Sequence, residues 1–230
     1  VLDVCPPLPA PDQVIRQAVD RTSAWAERGR RHFLERRDHV DGQRAQFGIV
    51  QGGLDIELRQ RSAETLTGIG FDGYAIGGLS VGETRPQMLE PLAAATSLLP
   101  VDRPRYFMGL GDPAGLVEAV ANGVDMFDCV WPTRMARHGT ALTRQGRLNV
   151  GAGRYSDSDE PLDPDFPESP ASRWSRGYIR HLLSVGEPAA ARILTLHNLA
   201  WLFDLMARVR ASIEAGTFEQ MRRDTLEVWG

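Results

Sequence analysis

The sequence predicts an α/β fold built on parallel strands, and three observations carry that expectation. Short apolar runs alternate with stretches of helical periodicity from Val14 to Trp131, the rhythm of strand–helix–strand units with right-handed crossovers. Each strand candidate is continuously apolar rather than alternating, as in strands covered on both faces. The runs close on glycines or on an aspartate, and in a (β/α)8 barrel functional residues gather at those strand ends.

The elements follow in order. "VLDVCPPLP" reads as the end of a strand and its loop. "PDQVIRQAVDRTSAWAERGRRHFL" places Val14, Ile15, Ala18, Val19, Ala24 and Trp25 at helical spacing behind Asp12. "AQFGIVQGG", "GYAIGGLS", "PRYFMGLGDP" and "VDMFDCVWP" read as strands. "IELRQRSAETLTGIG", "RPQMLEPLAAATSLL" and "GLVEAVANG" are the helices between them. In the last strand Asp128 sits among Met126, Phe127, Cys129, Val130 and Trp131. Its carboxylate is expected to be buried, where a charge without a partner is costly; Pro132 is expected to stop the run. The rhythm then changes. "HGTALTRQGRLNV" reads as a hairpin turning at Gln145-Gly146. "SDSDEPLDPDFPESPAS" is a loop. Two helical patterns, "SRWSRGYIRHLLSVG" and "PAAARILTLHNLAWLFDLMARVRASIEAG", follow it.

Composition sets the frame. The 230 residues, 42% hydrophobic and 24% charged, suffice for a sizeable core. A net charge of −4 does not advertise nucleic-acid binding but is compatible with a local basic patch. Two cysteines, Cys5 and Cys129, fit a reducing compartment rather than a disulfide framework. No run is long and apolar enough to span a membrane and no signal peptide is read, so the expected location is the cytoplasm.

At the strand ends stand Asp3, Gln51 to Gly53, Gly77 to Leu79, Met108 to Gly111 and Asp128. Glycines let a backbone approach a flat ligand and expose its N–H groups. With the Gln51 amide and the Asp3 carboxylate they suit the edge of a heterocyclic base. Each motif alone has a plainer reading: a turn for Gly-Gly, a cap or loop hydrogen-bonder for the aspartates, and barrel packing for Tyr106 and Met108.

Five motifs in order, "FGIVQGG", "GYAIGGLSVGE", "RYFMGLG", "GVDMFDCVWPTR" and "LHNL", resemble the bacterial-type tRNA-guanine transglycosylase (queuine tRNA-ribosyltransferase) family from Asp3 nearly to the end. The resemblance implies an α/β TIM barrel with only its later strands in this chain. Residues 1–138 would supply those β/α units, and 139–230 a hairpin, loop and helical appendage packed on the barrel. It implies exchange of the guanine at the tRNA wobble position for a 7-deazaguanine base in queuosine tRNA modification. By position, Asp128 stands where the family has its nucleophile. Asp3, Gln51, Gly78 and Leu79 stand where it binds the base; Tyr106 and Met108 line that pocket. Glu83 supports the backbone that reads the base's 7-substituent. Arg134 and Arg137 stand in the segment that meets tRNA. Two displacements at the ribose C1′ retain stereochemistry, and a carboxylate suits that role; the base must first leave its stack.

Two departures stand out. The family's barrel begins before Asp3, so the earlier strands, with a second catalytic carboxylate, are expected from a longer chain, a second copy or a complementing chain. The family's structural zinc uses Cys-x-Cys-x-x-Cys and a distant His. Here Phe166, Glu168 and Ala171 occupy the cysteine positions and only His197 remains. One His without thiolates does not make a tetrahedral site, so no metal cofactor is expected, and an apolar cluster of Phe166, Trp174, Tyr178 and Leu194 is expected instead. Arg134, Arg137, His138, Arg144 and Arg147, with Arg173, Arg176 and Arg180 on one helix face, form a candidate phosphate-binding set, or a solvated face. Beside the transglycosylase reading stand two alternatives: an inactive or partner-subunit paralogue that binds RNA, and a barrel enzyme acting on a small nucleoside.

Overall fold

The chain is described by a computed structural model covering residues 1–36 and 44–230. Four parallel strands, β1 (Phe47–Val50), β2 (Gly73–Ile76), β3 (Arg105–Met108) and β4 (Met126–Asp128), pair in the order β1-β2-β3-β4. Helices α1 (Asp12–Arg36), α2 (Ile56–Ile69), α3 (Arg85–Thr96) and α4 (Pro113–Ala121) precede or link them. The register pairs Val50 with Ile76, Ile76 with Phe107, Phe107 with Phe127 and Met108 with Asp128. All four C-terminal ends therefore lie along one edge of the sheet. Among the described residues this sheet is open, with β1 and β4 at its edges, and no closed barrel is formed.

Local chemistry sets the helix limits. Asp55 caps α2 by accepting from the Leu58 N–H at 2.9 Å, and Gly70, at φ 79°, ends it. Thr84 and Gln87 form a capping box on α3. The central strand β2 is buried throughout, and its neighbours contribute Val50 and Phe107 to a core with Leu66, Leu79, Leu92 and Leu99.

The chain divides into two compact units. One contains Val1–Leu110 and Glu118–Asp128, the other Gly111–Val117 and Cys129–Gly230. The second holds α5 (Trp131–Arg137), the antiparallel hairpin β5 (Thr140–Thr143) and β6 (Gly146–Asn149), a 3-10 turn at Gly153–Tyr155, and helices α6 (Arg176–Ser184), α7 (Pro188–Glu214) and α8 (Phe218–Trp229). Its core joins Ala141, Val150, Leu162, Ile179 and Leu194. Asn198 ties α7 to the hairpin and α5. Its Oδ1 accepts from the Leu142 N–H at 2.9 Å, and its Nδ2 donates to the Thr140 and Pro132 carbonyls at 3.0 Å.

Several expectations are corrected. Residues 1–5 form no strand: Val1 bonds to the Phe47 carbonyl at 2.9 Å, but no ladder follows. The run through Trp131 is not one strand either. β4 stops at Asp128 and α5 begins at Trp131, with Pro132 in its first turn, where a missing N–H costs nothing. Asp128 is exposed rather than buried; among the described residues β4 is an edge strand, and Met126 on it is 46% exposed. The hairpin turns at Arg144-Gln145, and Gly146 already pairs with Thr143. Arg173 precedes α6, so the arginine stripe does not occupy one helix face. The final helix α8 was not foreseen.

Candidate active site

The β1 and β2 ends build one half of the candidate site. Gln51 follows β1 directly and is 1% exposed. Its backbone N–H donates to Ser62 Oγ at 3.1 Å, and its Nε2 donates to Asp3 Oδ2 at 2.6 Å. The Gln51 amide and the Asp3 carboxylate thus meet. After β2, Gly78 lies at φ 63° with its Cα against Gln51 Oε1, where a Cβ would collide. Only glycine suits both demands. Leu79 is buried at 1% exposure. Beyond it, both oxygens of Glu83 accept backbone N–H groups, from Ser80 and from Val81, the second at 3.0 Å.

A residue that the sequence reading missed organises these loops. Arg59 on α2 is wholly buried. Its Nε donates to the Gly53 carbonyl at 2.8 Å, and its Nη2 to the Gly77 and Gly78 carbonyls, both at 3.0 Å. Burial lowers its pKa to about 10, against the opposing influence of Glu83 and Cys5, so it remains charged at neutral pH.

The β3 and β4 ends build the other half. Asp128 Oδ1 accepts from the Tyr106 hydroxyl at 2.6 Å and from the Gly109 N–H at 2.9 Å. Among the described residues Oδ2 has no hydrogen-bond donor. Desolvation, then the hydrogen bond to Asp128 and its charge, push the Tyr106 pKa up to about 12, so the phenol stays a neutral donor. Tyr106, expected only to line a pocket, therefore also fixes the carboxylate. Its ring meets Phe47 edge-on at 6.5 Å between centroids. Met108 stands opposite Asp128 in the register and is half-buried. Adjacent strands lie about 4.8 Å apart, so the Gln51 and Asp128 halves share one rim of one sheet.

Arg134 and Arg137 lie on α5 in the second unit and are exposed. Other members of the basic set are engaged there. Arg176 pairs with Glu160 at 2.7 Å and Arg180 donates to the Ala152 carbonyl at 3.2 Å. Arg147 and Arg173 stack on Trp131 and Trp174.

The residues that the resemblance puts at the family's zinc positions do not fit a zinc ion. His197 is fully buried; its Nε2 lies 2.7 Å from the Leu142 carbonyl and its Nδ1 2.7 Å from Ser169 Oγ. A carbonyl only accepts, so Nε2 carries the proton and Nδ1 accepts from the serine hydroxyl; both ring nitrogens are in use. Phe166 packs edge-on against the imidazole at 6.0 Å, Ala171 is buried and Glu168 exposed. Among the described residues no three His, Cys, Asp or Glu side chains gather as a metal-binding group. The apolar cluster expected here is partly corrected. Leu194 and Trp174 belong to the second core, whereas Tyr178 is 47% exposed because its side of α6 faces outward.

Burial lowers the His197 pKa, opposed by its backbone hydrogen bond and by Asp163. The native ring stays neutral while an unfolded one protonates below about pH 6.5. This contribution to stability is complete above that pH and is lost as pH falls through the window down to the native pKa. Asp163, raised by burial, acts in the opposite sense nearer the carboxylate range. Thermal melting is therefore expected to drop on mild acidification below pH ~6.5, and less steeply in His197→Gln. A wild-type melting temperature that is flat across this window would contradict the buried neutral ring.

The sequence model of the family described as queuine tRNA-ribosyltransferase matches residues 1–230. A queuine tRNA-ribosyltransferase of Thermotoga petrophila is 46% identical over 229 residues, covering 100% of this chain and 60% of the relative. One from Sphingopyxis alaskensis is 47% identical over 222 residues (96% and 59%), and one from Halothermothrix orenii 46% over 224 (97% and 58%). This chain thus spans about 60% of the length of the curated relatives it matches. With a family match along its whole length and relatives 46% identical across it, the chain belongs to the queuine tRNA-ribosyltransferase family.

Proposed function

We propose that this chain is the later part of a (β/α)8 tRNA-guanine transglycosylase, which exchanges the wobble guanine of tRNA for a 7-deazaguanine base. The observation that carries the reading is Asp128: an exposed carboxylate at a strand end, with one oxygen held by Tyr106 and Gly109 and the other unoccupied. In the first displacement Oδ2 attacks C1′ of the ribose, and the bond from C1′ to guanine N9 breaks. The electron pair leaves with the base, which takes up a proton. In the second, N9 of the incoming base attacks C1′, loses its proton, and releases Asp128 as carboxylate. Two inversions retain the configuration. The proton donor for the leaving base belongs to the earlier strands, supplied by a longer chain, a second copy or a complementing chain.

Asp3, Gln51, Gly78 and Leu79 provide the polar contacts of the flipped base, and Tyr106 and Met108 its flanks. Glu83 holds the Ser80 N–H. Because a trans peptide points its C=O opposite to the next N–H, the Leu79 carbonyl faces away from Glu83, free to accept from a donor on the base's 7-substituent. Arg134 and Arg137 meet phosphates of the RNA. The reaction runs without a resident metal, in the cytoplasm where tRNA is modified. No helix among the described residues is long and apolar enough to cross a membrane.

Gln51→Leu tests the pocket. A lost hydrogen bond to a buried purine edge costs about 1–3 kcal/mol, and the Asp3 carboxylate loses its donor as well. Guanine affinity by calorimetry is expected to fall by about one to two orders of magnitude. Unchanged affinity would remove Gln51 from the site.

A further inference from the structure

Peptide planarity links Arg59 to the base. In a trans peptide the C=O of one residue and the N–H of the next point in opposite directions. The Arg59 guanidinium holds the carbonyls of Gly77 and Gly78. The N–H groups of Gly78 and Leu79 are therefore turned away from it. Neither donates to any group of the described residues, although both residues are buried. Buried N–H groups without an acceptor are rare in folded proteins, and two in succession call for an acceptor that arrives with a ligand. The next two N–H groups, of Ser80 and Val81, are taken by Glu83. The segment thus offers two donors in a row, fixed from behind by one guanidinium.

We propose that Arg59 is a positioning residue for base recognition: by gripping the Gly77 and Gly78 carbonyls it aims the Gly78 and Leu79 N–H groups at the 6-oxo acceptor of the purine. The inference rests on the base-pocket reading above. The planar fork suits the task because its separate N–H donors reach three carbonyls at once, from Gly53, Gly77 and Gly78. Lysine keeps the charge but cannot span them. A guanidinium that only stabilised the loops would affect all bases alike, whereas an aiming role affects the 6-oxo contact.

Calorimetric titration with guanine and with 2-aminopurine, which lacks the 6-oxo group, separates the two on wild type and Arg59→Lys. The wild type is expected to prefer guanine, and in Arg59→Lys guanine affinity should fall about ten- to hundredfold with 2-aminopurine affinity little changed. An unchanged guanine preference in a folded Arg59→Lys, or an equal loss for both bases, would overturn the positioning role. If the variant does not fold, amide NMR of the wild type decides. The Gly78 and Leu79 N–H signals should shift on adding guanine and not on adding 2-aminopurine; signals indifferent to guanine would overturn the proposal. A wild type that binds neither base would overturn the pocket reading, and the role of Arg59 with it.

Discussion

Asp128→Asn is expected to abolish base exchange in the protein extended to the full length of its relatives. The rate should fall by about 10⁴-fold or more, the scale on which removal of a covalent nucleophile acts. The substitution is nearly isosteric, and the amide oxygen can still accept from Tyr106 and Gly109, the two donors that hold Oδ1. The fold and RNA binding should therefore survive, which separates chemistry from assembly. What is lost is the anionic second oxygen, because a neutral amide cannot capture C1′ as the guanine leaves. A denaturing gel of the wild type with RNA should show a covalent protein–RNA band, and the variant should show none. Tyr106→Phe provides a graded control. It removes one of the two bonds holding the carboxylate and is expected to lower the rate while still forming the adduct. Native turnover by Asp128→Asn would exclude the carboxylate as nucleophile.

The strand ends were legible because the information there is local. An apolar run followed by Gly-Gly gives the strand and the turn that ends it, and Gly78 at φ 63° against Gln51 is a turn that needs glycine. Burial was not local. Met126, Phe127 and Val130 make the surroundings of Asp128 look like an interior, but burial depends on which elements pack there, and among the described residues Asp128, Met126 and Val130 are exposed. Pro132 carried two meanings. It reads as the end of a strand and is equally suited to the first turn of a helix, which is what it occupies in α5. Arg59 shows the same limit more sharply. It stands two residues from Arg61 in "IELRQRSAETL", and nothing in composition distinguishes them. Arg61 reaches outward to Asp20 with half its side chain exposed, whereas Arg59 is fully enclosed by three carbonyls of other segments. Those contacts depend on the packing of α2 against the loops, which no short motif encodes.

Phe166→Ala is expected to destabilise the second unit by about 3–5 kcal/mol, the usual range for truncating a buried phenylalanine. Phe166 is 6% exposed and lies edge-on to His197, where the resemblance puts one of the family's zinc ligands. A structural zinc contributes folding free energy directly, on the order of ten kcal/mol in small zinc modules. We propose that here the segment is closed by other means. The Ser169 hydroxyl caps Nδ1 of His197, Nε2 reaches the hairpin carbonyl of Leu142, the Ala171 N–H returns to Ser169 Oγ at 3.1 Å, and the Phe166 ring covers the imidazole. Removing the ring leaves a cavity beside a buried histidine and opens its hydrogen bonds to water. The melting temperature should fall by about 10 °C or more. A chelator should leave the wild-type melting curve unmoved, and elemental analysis should find less than stoichiometric zinc. One tightly held zinc per chain, with melting lowered by chelation, would refute this metal-free closure. If instead Phe166→Ala melts like the wild type, the ring does not seal the segment, and the hydrogen bonds of His197 and Asn198 hold α7 to the hairpin without it.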